Sequence, residues 1–160
     1  MATTQKNGIA SAASRLARAS APDTEPAICE SLPHSRESVR TARAVTRSAL
    51  AVWGVEESDS DGVLMVVSEL VTNAVVHAEP PLCLHVAQSA DHHTVCVTVA
   101  DGGPAPVGPA SHASFPGDEH GRGQDIVASL AMNTDFSEGE HGAVRSAEVV
   151  AEASPCRISS

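Results

Sequence analysis

Aromatic side chains are almost missing from this chain, which has no tyrosine, one tryptophan (Trp53) and two phenylalanines (Phe115 and Phe136). The hydrophobic share is nevertheless 42%, mostly Ala, Val and Leu, so a core here must be aliphatic and closely packed. No apolar run approaches the roughly 20 residues of a membrane-spanning helix. The four cysteines, Cys29, Cys83, Cys96 and Cys156, contain no C-x-x-C spacing, which argues against a zinc site. Cys83 and Cys96 fall on neighbouring predicted strands and read as reduced core residues, in keeping with a cytoplasmic location. No G-x-x-x-x-G-K-[ST] segment exists, which excludes a P-loop NTPase, and there is no internal repeat.

Positive charge is also scarce beyond the first third. Residues 1–50 hold seven Lys/Arg against four Asp/Glu (7 − 4 = +3), and residues 51–160 hold three against sixteen (3 − 16 = −13), giving the overall −10. An acidic body excludes direct nucleic-acid binding, which depends on Lys/Arg neutralising phosphates. A nucleotide bound here would rely on a metal and backbone amides more than on cationic side chains. A basic protein partner suits the same surface.

At 160 residues the chain is one domain with tails. The first 22 residues are Ala/Ser/Arg-rich and free of acids, faintly like a transit peptide, while Arg15 and Arg18 interrupt any secretory apolar core. Residues 1–30 are expected as a disordered tail, 31–152 as the domain and 153–160 as a second tail. Ser35 to Trp53 predicts a helix, with Ser35 or Ser38 as cap, Val39, Ala42, Thr46, Ala49 and Trp53 at helical spacing, and Gly54 as stop. Its arginines, Arg36, Arg40, Arg43 and Arg47, read mostly as an outer face. A second helix starts near Asp59 or Asp61, carries the stripe Val63, Val66, Val67, Leu70, Val71, Ala74 and Ala78, and ends at Pro80-Pro81. Leu82–Ala87 and Val95–Ala100 alternate as strands, joined by Ala90-Asp91-His92-His93 as a hairpin. Residues 104–120 are Gly/Pro/Ser/His-rich and read as a long loop of the kind that forms lids. Gln124–Ala131 returns to helix, and Gly142 to about Glu152 predicts a closing strand.

Three segments carry candidate chemistry. On the second helix, Glu69 and Asn73 lie about 40° apart on the helical wheel and one turn apart along the axis, with His77 one turn further. Asn73 can ligate Mg²⁺ through its amide oxygen, because that cation uses few protein ligands beside phosphate oxygens and water. Glu69 can then take a proton from an attacking hydroxyl. Asp101, at the end of a Val-rich strand, can accept from an exocyclic amine while Gly103 lets a base approach the backbone. Gly121-Arg122-Gly123 opens a helix whose free N–H groups suit phosphate, with Arg122 adding charge. Taken singly, these are also ordinary surface residues, a plain turn and a common G-x-G. The dinucleotide fingerprint fails, since Ile126 stands where its third glycine would be.

Together, helix with Glu-x-x-x-Asn, strand hairpin, Asp-Gly-Gly, loop, Gly-Arg-Gly, helix and strand resemble the GHKL (histidine-kinase-like) ATP-binding domain. That fold is shared by gyrase-type ATPases, histidine kinase catalytic domains and anti-sigma-factor serine kinases. The chain is most similar to stand-alone, actinobacterial-like anti-sigma-factor members, through Ser31-Leu32-Pro33, Ser38-Val39-Arg40 with Ala42-Arg43, Trp53-Gly54, Glu69-Leu70-Val71-Thr72-Asn73-Ala74-Val75 with His77-Ala78, and Gly121-Arg122-Gly123 with Ile126-Val127.

The resemblance implies a two-layer α/β sandwich of the Bergerat type, a mixed sheet backed by helices, with ATP beneath a lid at 104–120. It implies Glu69 as catalytic carboxylate, Asn73 as Mg²⁺ ligand, Asp101 as adenine reader, and Gly103, Gly121, Arg122 and Gly123 as pocket residues. The implied partners are a sigma factor or an anti-sigma-factor antagonist, and a homodimer is compatible with this type. The activity implied is serine/threonine kinase, with a non-catalytic ATP-binding switch as the alternative. A sensor histidine kinase fits poorly, because residues 1–30 lack the helical periodicity of a phosphorylated hairpin. Two departures stand out: Gln124 replaces a common Leu, and the closing strand Gly142-Ala143-Val144-Arg145-Ser146 lacks the usual lysine. Both weaken the phosphate grip, so ATP binding is better supported than turnover.

Overall fold

The computed structural model describes residues 26–106 and 122–153. Five strands, β1 (Ala27–Leu32), β2 (Leu82–Gln88), β3 (Thr94–Asp101), β4 (Ala131–Gly139) and β5 (Gly142–Val150), form one sheet in the order β1-β2-β3-β5-β4. Three helices, α1 (Glu37–Val52), α2 (Glu57–His77) and α3 (Arg122–Leu130), back one face of it. This is the expected two-layer sandwich, a sheet backed on one face by helices. Hairpins join β2 to β3 and β4 to β5, whereas β5 inserts between β3 and β4 after a crossover through α3; the pairings themselves are all antiparallel.

The core is aliphatic. Leu84 and Val86 on β2, Val95, Val97 and Val99 on β3, and Ala147 and Val149 on β5 meet Val63, Val66, Val67, Leu70, Val71 and Ala74 of α2. Each buried Val or Leu contributes roughly 1.5–3 kcal/mol relative to exposure, which is how so few aromatics suffice. Because side chains alternate along a strand, the opposite face carries Cys83, His85 and Cys96, all half-buried. The two cysteines therefore line the outer face rather than the core, a correction to the sequence expectation. Cys83 Sγ lies 3.5 Å from Cys29 Sγ of β1, and burial is the main reason its thiol is pushed up to about 12.

Local chemistry explains the ends of the elements. Gly54, with φ 75°, closes α1 in the left-handed conformation that favours glycine. Neither predicted serine caps α1: Arg36 occupies the cap position and its side chain makes no capping bond, and buried Ser38 donates to the Pro33 carbonyl instead. Arg43 also departs from the outer face. Its Nη1 donates to Leu64 O at 3.2 Å and Ser68 Oγ at 2.7 Å, tying α1 to α2.

Two strands depart from the sequence reading. β1 begins at Ala27, inside the expected tail, and pairs with β2 from Ala27↔Ala87 to Leu32↔Leu82. β4 follows α3 without a break and has no apolar alternation, because every residue after Ala131 is exposed. The expected lid lies outside the described residues from 107 onward.

Candidate functional site

Glu69 and Asn73 sit one turn apart on α2, both half-buried, flanked by core residues Leu70, Val71 and Ala74. Among the described residues neither side chain has a hydrogen-bond partner. The Glu69 carboxylate rests directly against Gly123 in the first turn of α3; a Cβ at Gly123 would collide with Oε2. Only glycine permits that approach. The first turn of a helix carries unbonded N–H groups and the positive end of its dipole, which favours an anion there. Thus the carboxylate of α2 and a phosphate-favouring helix start face the same space. Gly121 and the Arg122 side chain lie outside the described residues.

The Asp-Gly-Gly segment is fastened to the other end of α2. Gly102 N–H donates to Glu79 O at 2.7 Å, Glu79 N–H to Gly103 O at 2.8 Å, and Ala105 N–H to His77 O at 3.0 Å. A Cβ at Gly102 would strike the Pro80 carbonyl and lie 2.8 Å from Glu79 O, so the chains pass too closely for any other residue. Gly103 has φ 94°, a second position where glycine relieves strain.

Asp101 ends β3 with its side chain fully buried. A carboxylate at such depth needs partners, and it has two. Oδ1 accepts from Gly103 N–H at 2.8 Å, and Oδ2 accepts from Arg145 Nη1 at 2.9 Å. Arg145 belongs to β5, where Val99↔Arg145 and Asp101↔Ala143 are the register pairs, so Arg145 and Asp101 are diagonal neighbours on the helix-facing side. Its guanidinium also lies 4.8 Å from the ring centroid of Phe136, its register partner on β4. Asp101, Arg145 and Phe136 therefore form a row across three strands at one end of the sheet.

Arg145 is the residue beside the candidate site that sequence reasoning missed. Its segment drew notice only for lacking a lysine. A usable signal was present: Ala143, Arg145, Ala147 and Val149 alternate as the inward positions of a strand, and a cation among them demands a buried carboxylate.

The donor set can be tested against the groups the fold implies. Among the described residues no three His, Cys, Asp or Glu side chains converge as metal ligands. A metal here would instead be carried by the Asn73 amide with phosphate and water oxygens, which suits Mg²⁺ and not zinc. The residues thus fit a metal–nucleotide rather than a resident ion. A groove of about 480 Å³ lies elsewhere, between β1 and α1. Ile28, Val45, Val52 and Trp53 line it, with Glu30 as its sole charged residue, so nothing there would hold a phosphate chain.

No curated protein matches the chain. Among solved structures, it is similar to the crystal structure of the RsbU and RsbW domains of Rv1364c from Mycobacterium tuberculosis, with a TM-score of 0.62 and 23% identity. The match covers 88% of this chain and 36% of that one, so this chain spans about a third of that protein's structure. At this identity the likeness concerns the fold. The family model described as histidine kinase-like ATPase domain matches residues 32–146, well over half of the sequence and every described element of the site. The chain belongs to the histidine kinase-like ATPase domain family.

Proposed function

We propose that this domain binds Mg-ATP and transfers the γ-phosphate to a serine or threonine of an anti-sigma-factor antagonist, and that it sequesters a sigma factor in the same regulatory circuit. The observation that carries the reading is the carboxylate of Glu69 lying against Gly123 at the start of α3, one turn from the amide of Asn73 on the same helix. About 12 Å of helix axis separates Glu69 from His77, where the Asp-Gly-Gly segment is fastened. Adenine at Asp101 and the terminal phosphate near Glu69 would occupy the two ends of that span, with Asn73 between them. The solved relative named for an RsbW domain supports the regulatory setting at the level of the fold.

Asn73 would hold Mg²⁺, which neutralises developing charge on the phosphates when bound. The N-terminus of α3, which opens at Arg122 directly after Gly121, would supply backbone N–H groups to the phosphate chain. Glu69 would accept the proton of the attacking hydroxyl, since serine is a poor nucleophile without a nearby base. A second reading, an ATP-binding switch without turnover, is favoured by one observation: Arg145 is committed to Asp101, so β5 offers no free cation in place of the absent lysine.

Glu69→Gln separates the two. It keeps shape and removes the base, so ATP affinity stays near wild type while transfer to antagonist proteins falls by about 10²–10⁴-fold. Radiolabel transfer measures this. Wild type that labels no antagonist yet binds a sigma factor tightly supports the switch, and equal labelling by both proteins removes Glu69 from the role of base.

A further inference from the structure

Arg145 stands where a core residue is expected. Its strand neighbours on the same face, Ala143 and Ala147, are buried, as is Val99 directly across in the register. Its side chain is 27% exposed, whereas that of its partner Asp101 is 0% exposed. The arginine therefore lies at the boundary between the sheet's interior and the space outside, with the carboxylate behind it. Phe136, 4.8 Å away and half-exposed, gives the planar guanidinium a ring face to rest on.

The valences of the pair leave room for a ligand. An ionised carboxylate offers about four acceptor sites, of which Gly103 N–H occupies one on Oδ1 and Arg145 one on Oδ2. A guanidinium carries five N–H donors in a rigid fork, and the bond to Asp101 runs through Nη1. Asp101 and Arg145 thus hold an acceptor and a donor on adjacent, bonded groups, the acceptor the deeper of the two. The edge of adenine shows the complement, an amine donor at N6 beside a ring acceptor at N1.

We infer that Arg145 is a base-reading residue: it donates to N1 of the adenine ring while Asp101 accepts from the N6 amine. This deepens the nucleotide-binding reading and rests on it. A lone carboxylate can read only the amine. The pair reads both positions, and a site built to bond a ring nitrogen rejects an analogue lacking it, because the donor then faces a C–H group with the nucleotide shielding it from water. The cation also offsets the charge of Asp101, so the base does not have to approach an uncompensated carboxylate.

The test compares ATP with 1-deaza-ATP, in which a C–H group replaces N1, by calorimetry in the presence of Mg²⁺. Wild type should bind 1-deaza-ATP about ten- to a hundredfold more weakly than ATP. Arg145→Met, which keeps much of the apolar stem, should bind ATP more weakly than wild type and bind the two nucleotides equally. Equal binding of both nucleotides by wild type overturns the inference while leaving the pocket intact. Discrimination that persists in Arg145→Met also overturns it, since another group then reads N1. Wild type that binds neither nucleotide overturns the nucleotide reading itself. The wild-type comparison needs no variant, so it decides the matter even if Arg145→Met fails to fold.

Discussion

At Gly123, a single hydrogen in place of a methyl group lets the Glu69 carboxylate lie against the first turn of α3. The atom a Cβ would strike is the far end of a flexible side chain, so the fold can yield by swinging Glu69 aside. Gly123→Ala should leave thermal stability within about 1 kcal/mol of wild type, with the helix propensity of Ala offsetting the lost contact. The displaced carboxylate should nevertheless lower phosphoryl transfer by about 10²-fold, the usual result of misplacing a reacting group by about 1 Å. Thermal melts and antagonist labelling on the same preparation check both halves. The residue scale also shows what the sequence can reveal. Glu69 and Asn73 were legible because their spacing matches one helical turn, and Asp101 because it ends a run of valines. The contact of Gly123 with Glu69 and the pairing of Arg145 with Asp101 were not, since each joins residues more than forty positions apart.

Among the elements, the junction between α2 and the end of β3 fixes the two halves of the site relative to each other. Three backbone hydrogen bonds and the close passage of Gly102 beneath Glu79 and Pro80 form it. Here the atoms facing an added Cβ are backbone carbonyls, which cannot swing away. Gly102→Ala should therefore destabilise the domain by about 1–3 kcal/mol, the usual cost of overpacking, unlike the alanine at Gly123. Urea denaturation should show a lower midpoint with the slope unchanged. The helices and the β2–β3 hairpin were readable from periodicity, because one face of each meets the core. β4 was not, because it lies exposed at the sheet edge and has no apolar face to announce. The N-terminal cap of α1 escaped for another reason: Ser38 is spent on the Pro33 carbonyl, a competition that only tertiary packing decides.

On the scale of the whole molecule, an acidic body must hold a polyanion. Residues 51–160 carry three cations against sixteen acids, and the arginine nearest the proposed base site is already bonded to a carboxylate. On the proposed reading, binding rests on Mg²⁺ at Asn73, the amides at the start of α3 and the Asp101–Arg145 pair at the base, which makes affinity depend on the metal. Isothermal calorimetry of ATP, with and without Mg²⁺, on wild type, Asn73→Ala and Asp101→Asn tests this most directly. Wild type should bind Mg-ATP, and each variant should weaken binding by about one to two decades, since a hydrogen bond to a charged group contributes ~1.5–3 kcal/mol. The Asn73→Ala loss should vanish when Mg²⁺ is omitted, because the metal it holds is then absent. Unchanged Mg-ATP affinity in both variants would contradict the assignment of the site.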